Sequence, residues 1–263
     1  MAQAQHAQVA RVGVQLHPQH TNYQSFAEAV QKCEEAGVDS IWTWDHFFPL
    51  YGPSSGPHFE GWTLLTAMAT LTQRAEIGLL VTCNTYRNPA LLSNMAKTVD
   101  HISQGRLILG LGAGWFERDY SEYGYDFGTP ASRLAALEES LKIIKHRWEV
   151  DVPQPLHKIP IMIGGGGEKV TLKITARYAD MWHGFGNPEA IKHKMEVLDN
   201  WCREVGRDPH AIERGCGTQG GDSDETRTAY VQAGATHLIL GMGEPWDYQA
   251  ITKLVQWRDN FNS

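Results

Sequence analysis

Asp45 and His46 stand side by side in the run Trp42-Thr-Trp-Asp-His-Phe-Phe-Pro49, with aromatic residues on both sides. An imidazole titrates near neutrality and can give or take a proton, and a nearby carboxylate can orient it or raise its pKa. The surrounding rings are suited to wall a flat ring system. The pair also has a structural reading, with His46 hydrogen-bonding and Asp45 capping a turn, and residue types alone do not choose between the two. A second group is Gly164-Gly-Gly-Gly167, directly ahead of a helix expected from Glu168. Glycines let backbone N–H groups approach an anion, and a helix N-terminus adds free donors and a favourable dipole. A ligand phosphate is the functional reading and a tight turn the structural one. The run fits neither G-x-G-x-x-G nor a Walker motif, so nicotinamide dinucleotide and ATP are not indicated. The third group is Gly110-Leu-Gly-Ala-Gly-Trp-Phe-Glu-Arg118. Gly112 and Ala113 permit close approach of a ligand, and Trp115, Glu117 and Arg118 can shape a pocket; the alternative is a kinked strand end whose aromatics pack in the core.

The elements that must position these groups read as alternating short apolar runs and amphipathic stretches. Strands are expected at 11–16, 40–44, 75–81, 106–111, 159–163, 180–183, 212–217 and 236–240. Helices are expected at 23–36, 62–71, 88–99, 132–148, 168–178, 188–205, 225–233 and 246–257, with Gly37 stopping the first and Pro89 opening the third. Eight strand–helix units with short connections predict parallel βαβ construction and closure into a (β/α)8 TIM barrel, in which working residues lie on loops after the strands. All three groups fall at such strand ends. So do His17 and His20, after the first strand, and His183, after the sixth. A metal site is nevertheless not expected: the tight His-x-His pair that barrel hydrolases use is absent, and Leu240-Gly-Met-Gly offers no carboxylate.

The chain has 263 residues, 42% hydrophobic, 20% charged and 10% aromatic, with a formal net charge of −7. This is globular composition, and the length suits one barrel. Residues 1–10 are expected to be a flexible tail and 11–263 a single domain. The acidic balance and the lack of a strong basic run exclude nucleic acid as the main partner, and no apolar run is long enough for a membrane helix. Cys33, Cys83, Cys202 and Cys216 are scattered, so free thiols in a cytoplasmic protein are expected.

Together these segments resemble a known family. The run from Ile41 to Pro49, the run Ile77-Gly-Leu-Leu-Val-Thr-Cys-Asn-Thr-Tyr-Arg-Asn-Pro89, and the block Asp100-His-Ile-Ser-Gln-Gly-Arg-Leu-Ile-Leu-Gly-Leu-Gly-Ala-Gly-Trp115 are similar to signatures of luciferase-like, F420-dependent oxidoreductases. Ile161 to Gly167 and Ala179 to Gly184 add two more, in matching order over nearly the whole chain. The resemblance implies a barrel with a reduced insertion, and a deazaflavin ring beside Asp45 and His46, with His46 as proton donor, proton acceptor or polariser of a carbonyl. It implies a non-proline cis peptide at Leu80-Val81 backing the ring, and Thr82 and Cys83 beside it. Gly112 and Ala113 would border the coenzyme, and Gly164, Gly165, Gly166 and Gly167 would hold its phosphate, with His183 nearby. His17, Phe48, Trp115 and Arg118 would form the substrate pocket. The family's sugar-6-phosphate dehydrogenases carry Glu where Trp115 stands, and Trp where Phe48, Pro49 and Leu50 stand. The expectation is therefore hydride transfer between F420 and a small organic ketone, alcohol or enone. The alternatives are an FMN-dependent monooxygenase and a non-catalytic deazaflavin-binding protein. A homodimer is compatible with the family.

Overall fold

The computed structural model describes residues 9–263. Strands β1 (Arg11–Leu16), β2 (Ser40–Thr43), β3 (Glu76–Leu79), β4 (Thr82–Cys83), β5 (Leu107–Gly112), β6 (Ile161–Gly164), β7 (Met181–Gly184), β8 (Glu213–Thr218) and β9 (His237–Met242) pair in parallel throughout. β1 pairs with β2 on one side and β9 on the other, and β3 and β4 both pair with β5, so the sheet closes on itself. β3 and β4 are two halves of one barrel position, which leaves eight positions and makes the fold a (β/α)8 TIM barrel.

The outer ring is α1 (Tyr23–Ala36), α2 (Gly61–Leu71), α3 (Pro89–Ile102), α5 (Pro130–Val150), α6 (Thr171–Tyr178), α7 (Pro188–Glu204), α8 (Asp224–Gln232) and α9 (Tyr248–Asn262), with a short α4 (Glu117–Tyr123) between β5 and α5. Local chemistry sets their ends. The Asn22 side chain accepts from the Ser25 N–H to start α1, and Gly37, at φ 88°, ends it in the left-handed region. Asn88 caps α3 with Pro89 in its first turn, and Thr129 and Ser132 form a capping box on α5.

Strand periodicity separates two apolar layers. Val12, Val14 and Leu16 of β1, with Leu107, Leu109 and Leu111 of β5, pack outward against the helices. Trp42, Leu80, Ile108, Met162, Met181 and Ile239 fill the barrel interior beneath the ends of the strands.

The cis peptide at Leu80-Val81 is present and splits the third barrel position. The Gln15 amide donates to the Leu80 carbonyl (2.6 Å), and the Leu80 N–H donates to the Thr43 carbonyl (2.8 Å). A Cβ on Gly110 would lie 2.0 Å from the Leu79 carbonyl oxygen. One on Gly112 or Gly164 would lie 2.7 or 2.8 Å from the Val81 methyls. Three glycines on two neighbouring strands therefore make the room that this bulge occupies.

Four expectations need correction. The third strand does not run unbroken over 75–81. The helix expected at 168 begins at Thr171, because Glu168, Lys169 and Val170 form a turn after the glycines. α4 was not foreseen, because its seven residues, ERDYSEY, carry no apolar stripe. Ala10, assigned to a flexible tail, is buried and exchanges two hydrogen bonds with the Asn262 side chain. The tail expectation for residues 1–8 lies outside the described residues. Among the described residues, no helix is long and apolar enough to cross a membrane.

Candidate active site

A cavity of about 730 Å³ opens at the C-terminal mouth of the barrel. Gln15 and His17 reach it from β1 and its end, Trp44, Asp45 and His46 from the end of β2, and Leu80 to Cys83 from the bulge. Gly112 to Trp115, Gly164, Gly165, Thr171, His183 and Phe185 complete most of the remaining wall. The barrel therefore brings together His17, Asp45, His46, Leu80, Val81, Thr82, Cys83, Gly112, Ala113, Trp115, Gly164, Gly165 and His183 from the residues singled out in sequence.

Asp45 and His46 are neighbours in the chain but belong to different networks. The Asp45 carboxylate is buried and takes a bidentate fork from Arg87 (2.6 and 2.9 Å) and the Cys83 N–H (3.0 Å). Arg87 also donates to Glu60 (2.6 Å), whose carboxylate caps α2 by accepting from the Trp62 and Thr63 N–H groups. Burial pushes the Asp45 carboxyl up, but two guanidinium N–H groups and an amide oppose it, and this donor set belongs to a carboxylate. Asp45 thus ties β2 to the segment after β4 and does not orient His46.

The partner of His46 is Asp119, on α4. His46 Nδ1 donates to Asp119 Oδ2 (2.6 Å), which also accepts from the Tyr86 hydroxyl (2.8 Å), and Asp119 Oδ1 accepts from the Phe47 N–H (3.1 Å). Asp119 is fully buried and surrounded by donors, which fixes the proton of His46 on Nδ1 and leaves Nε2 for the cavity. Burial, with Cys83 and Asp119 adding to it, pushes the Tyr86 hydroxyl up, so it remains a donor. Sequence reading missed Asp119, Tyr86 and Arg87. Their positions depend on contacts across the barrel mouth, and only the Tyr86-Arg87-Asn88-Pro89 run carried a signal.

The walls are aromatic. His17 stacks on Trp44 at 4.3 Å, and Trp115 and Phe116 set their edges against His46 at 5.7 and 5.6 Å. Burial lowers the His17 pKa to about 4 and that of His183 to about 3, so both are neutral imidazoles. Both ring nitrogens of His183 and the Thr82 hydroxyl are buried without a hydrogen-bond partner among the described residues. Asp45 is the one carboxylate among the lining residues, no Lys or Arg is among them, and Arg87 neutralises Asp45. Burial also pushes the Cys83 thiol up, so it stays protonated beside Tyr120 and Thr85.

Four expected residues stand outside this lining. Arg118 lies over the Phe48 ring at 3.9 Å and donates to the Ser54 carbonyl, so the two pack on each other above the mouth. Gly166 faces the Lys194 stem and Gly167 faces Thr171. Gly165 lines the cavity, but its N–H donates to the His183 carbonyl (3.1 Å) and is not free for an anion. Among the described residues, no group of three or more His, Cys, Asp or Glu is placed to hold a metal ion.

An F420-dependent glucose-6-phosphate dehydrogenase of Amycolatopsis mediterranei is 29% identical over 187 residues, covering 64% of this chain and 54% of its own length. A phthiodiolone/phenolphthiodiolone dimycocerosates ketoreductase of Mycobacterium bovis is 29% identical over 255 residues, covering 80% of this chain and 65% of its own length. The chain thus spans between half and two thirds of the length of these curated relatives. An F420-dependent secondary alcohol dehydrogenase, solved in complex with an F420-acetone adduct, matches with a TM-score of 0.84 at 18% identity. That match covers 94% of this chain and 98% of the other, and at such identity it is a likeness of fold. The family model for luciferase-like monooxygenases matches residues 5–260, and the chain belongs to that family.

Proposed function

We propose that this protein is an F420-dependent oxidoreductase that moves a hydride between the deazaflavin and a small organic ketone, alcohol or enone. The observation that carries the reading is His46, its proton fixed on Nδ1 by Asp119 and its Nε2 left to an apolar cavity beside the Leu80-Val81 bulge. The residues present fit the coenzyme. The bulge offers a flat backing, Trp44 and His17 an aromatic wall, and the unpartnered Thr82 hydroxyl and His183 nitrogens offer polar contacts for its heteroatoms. When bound, F420 supplies the hydride-accepting and hydride-donating centre.

As the imidazolium, with a second proton on Nε2, His46 gives that proton to the oxygen of a carbonyl being reduced; as the neutral Nδ1–H imidazole, it takes one on Nε2 from an alcohol being oxidised. Asp119 steadies the ring in either state. The buried Trp44 ring screens its side of the cavity from water. A cavity whose lining holds no free cation favours an uncharged substrate, and the wall at Trp115 supports the same preference over a sugar phosphate.

Fluorescence titration of the purified protein with F420, and separately with FMN, tests the coenzyme. Tighter binding of F420 is expected, and tight FMN binding without F420 binding would replace this reading with a flavin monooxygenase. His46→Gln should retain coenzyme affinity and lose about 10²- to 10⁴-fold in turnover of small ketones with reduced F420. Unaltered turnover in the variant would show that His46 has no chemical role, and F420 binding with no turnover in the unsubstituted protein would leave a coenzyme carrier.

A further inference from the structure

A second cavity, of about 350 Å³, lies between α8, α9 and the loop that follows β8, lined by Gly220, Gly221, Asp224, Arg227, Lys253 and Trp257 among others. Arg227 is 3% exposed and donates through Nη1 to Asp224 (2.8 Å). Its Nε is buried without a partner, and its Nη2 has none among the described residues. A buried guanidinium ordinarily has its N–H groups satisfied, because leaving one bare costs the desolvation of a charged donor. The Nε–Nη2 edge is also the one that forks onto two oxygens of a carboxylate or phosphate.

The rest of the cavity suits the same ligand. Lys253, on the exposed side of α9, adds a mobile cation, and Gln256 and Asn260 add amide groups. The lining charges balance, Arg227 and Lys253 against Asp222 and Asp224: Asp222 accepts from the Thr218 hydroxyl and the Gln219 N–H (both 2.7 Å) and Asp224 from Arg227 Nη1, which leaves the Nε–Nη2 edge and Lys253 as the cationic donors not already taken. The opening turn of α8 is part of the wall, and barrels frequently hold phosphates on the loops after their seventh and eighth strands. We propose that this cavity is a second binding site, taking the phosphate or carboxylate group of a small molecule on the Arg227 fork with Lys253 closing over it. The loop between the two cavities is shared. Thr218 and Gln219 line the main cavity, Gly220 to Asp222 line the second, and Asp222 ties the two parts together. An anion on Arg227 therefore braces one wall of the main cavity.

Thermal unfolding of the full chain should be followed against potassium phosphate and, in parallel, potassium citrate, each with potassium chloride at matched ionic strength. A saturable rise in melting temperature over chloride is expected, and the anion with the lower midpoint identifies phosphate or carboxylate as the preferred source. Lys253→Ala should raise that midpoint about tenfold, and Arg227→Lys, which keeps the charge but loses the fork, should abolish the rise. Lys253→Glu, at an exposed position, carries the test if Arg227→Lys does not fold. No saturable rise with either anion overturns the proposal. So does a rise with the same midpoint in Lys253→Ala and Lys253→Glu, which would place the anion elsewhere, such as the glycine loop.

Discussion

His46 and Asp119 lie 73 residues apart, and their contact decides which nitrogen of the imidazole meets a substrate. Asp119→Asn replaces an obligate acceptor with an amide that can donate to Nδ1, which would shift the ring proton to Nε2. On the proposed reading, the variant keeps its coenzyme affinity and loses about 10²- to 10⁴-fold in the hydride-transfer rate, with an altered pH profile for kcat. Equal losses in coenzyme binding and turnover would instead mark Asp119 as a general support of the loop. Residue types and strand ends made Asp45 and His46 legible as a pair, but adjacency suggested the wrong partner. Successive residues leaving a strand point to opposite sides, so Asp45 turns to Arg87 while His46 turns to Asp119.

Among the elements, the strands with alternating or continuous apolar runs were legible almost to the residue. β1 and α1 begin and end where their patterning and caps require. What could not be read was set by contact between elements. α4 has no apolar stripe because it buries Asp119 and Tyr120 within an otherwise polar segment. The break in the third barrel strand is invisible to periodicity, since Leu79, Leu80 and Val81 continue an apolar run. Its room comes from the neighbouring strands, and Gly110 faces the closest approach. Gly110→Ala should lower stability by about 1–3 kcal/mol or more, or prevent folding, because the backbone carbonyl of Leu79 cannot yield as a side chain would. Gly221→Ala, where a Cβ meets nothing within 4 Å, should leave the urea midpoint unchanged. Equal midpoints for the two variants would refute the packing account of the bulge.

At the scale of the whole molecule, burial of neutral imidazoles makes stability depend on acid. Burial lowers the pKa of His17 and His58 to about 4 and that of His183 to about 3, against an ordinary value of 6.5. Below pH 6.5 the unfolded chain takes up protons that the folded chain refuses, so unfolding becomes more favourable as pH falls. Stability from these groups is complete above pH 6.5 and declines through about pH 4 to 3. These imidazoles should add no slope to the melting temperature in the neutral range above pH 6.5 and make it fall below pH 6.5, and His183→Gln should fall less steeply. An identical slope in that variant would exclude His183 as a contributor.

The seam where β1 meets β9 also orders events in time. β1 leaves the ribosome first, and its ring partner is the last strand to follow, so neither neighbouring edge can be covered until His237–Met242 emerges. An open parallel sheet with two bare edges is prone to pair with other nascent chains. Once Arg11 finds His237 and Asn262 clasps Ala10, those edges vanish together. The interval between the first and last strands is therefore the period in which these edges stand open to other nascent chains.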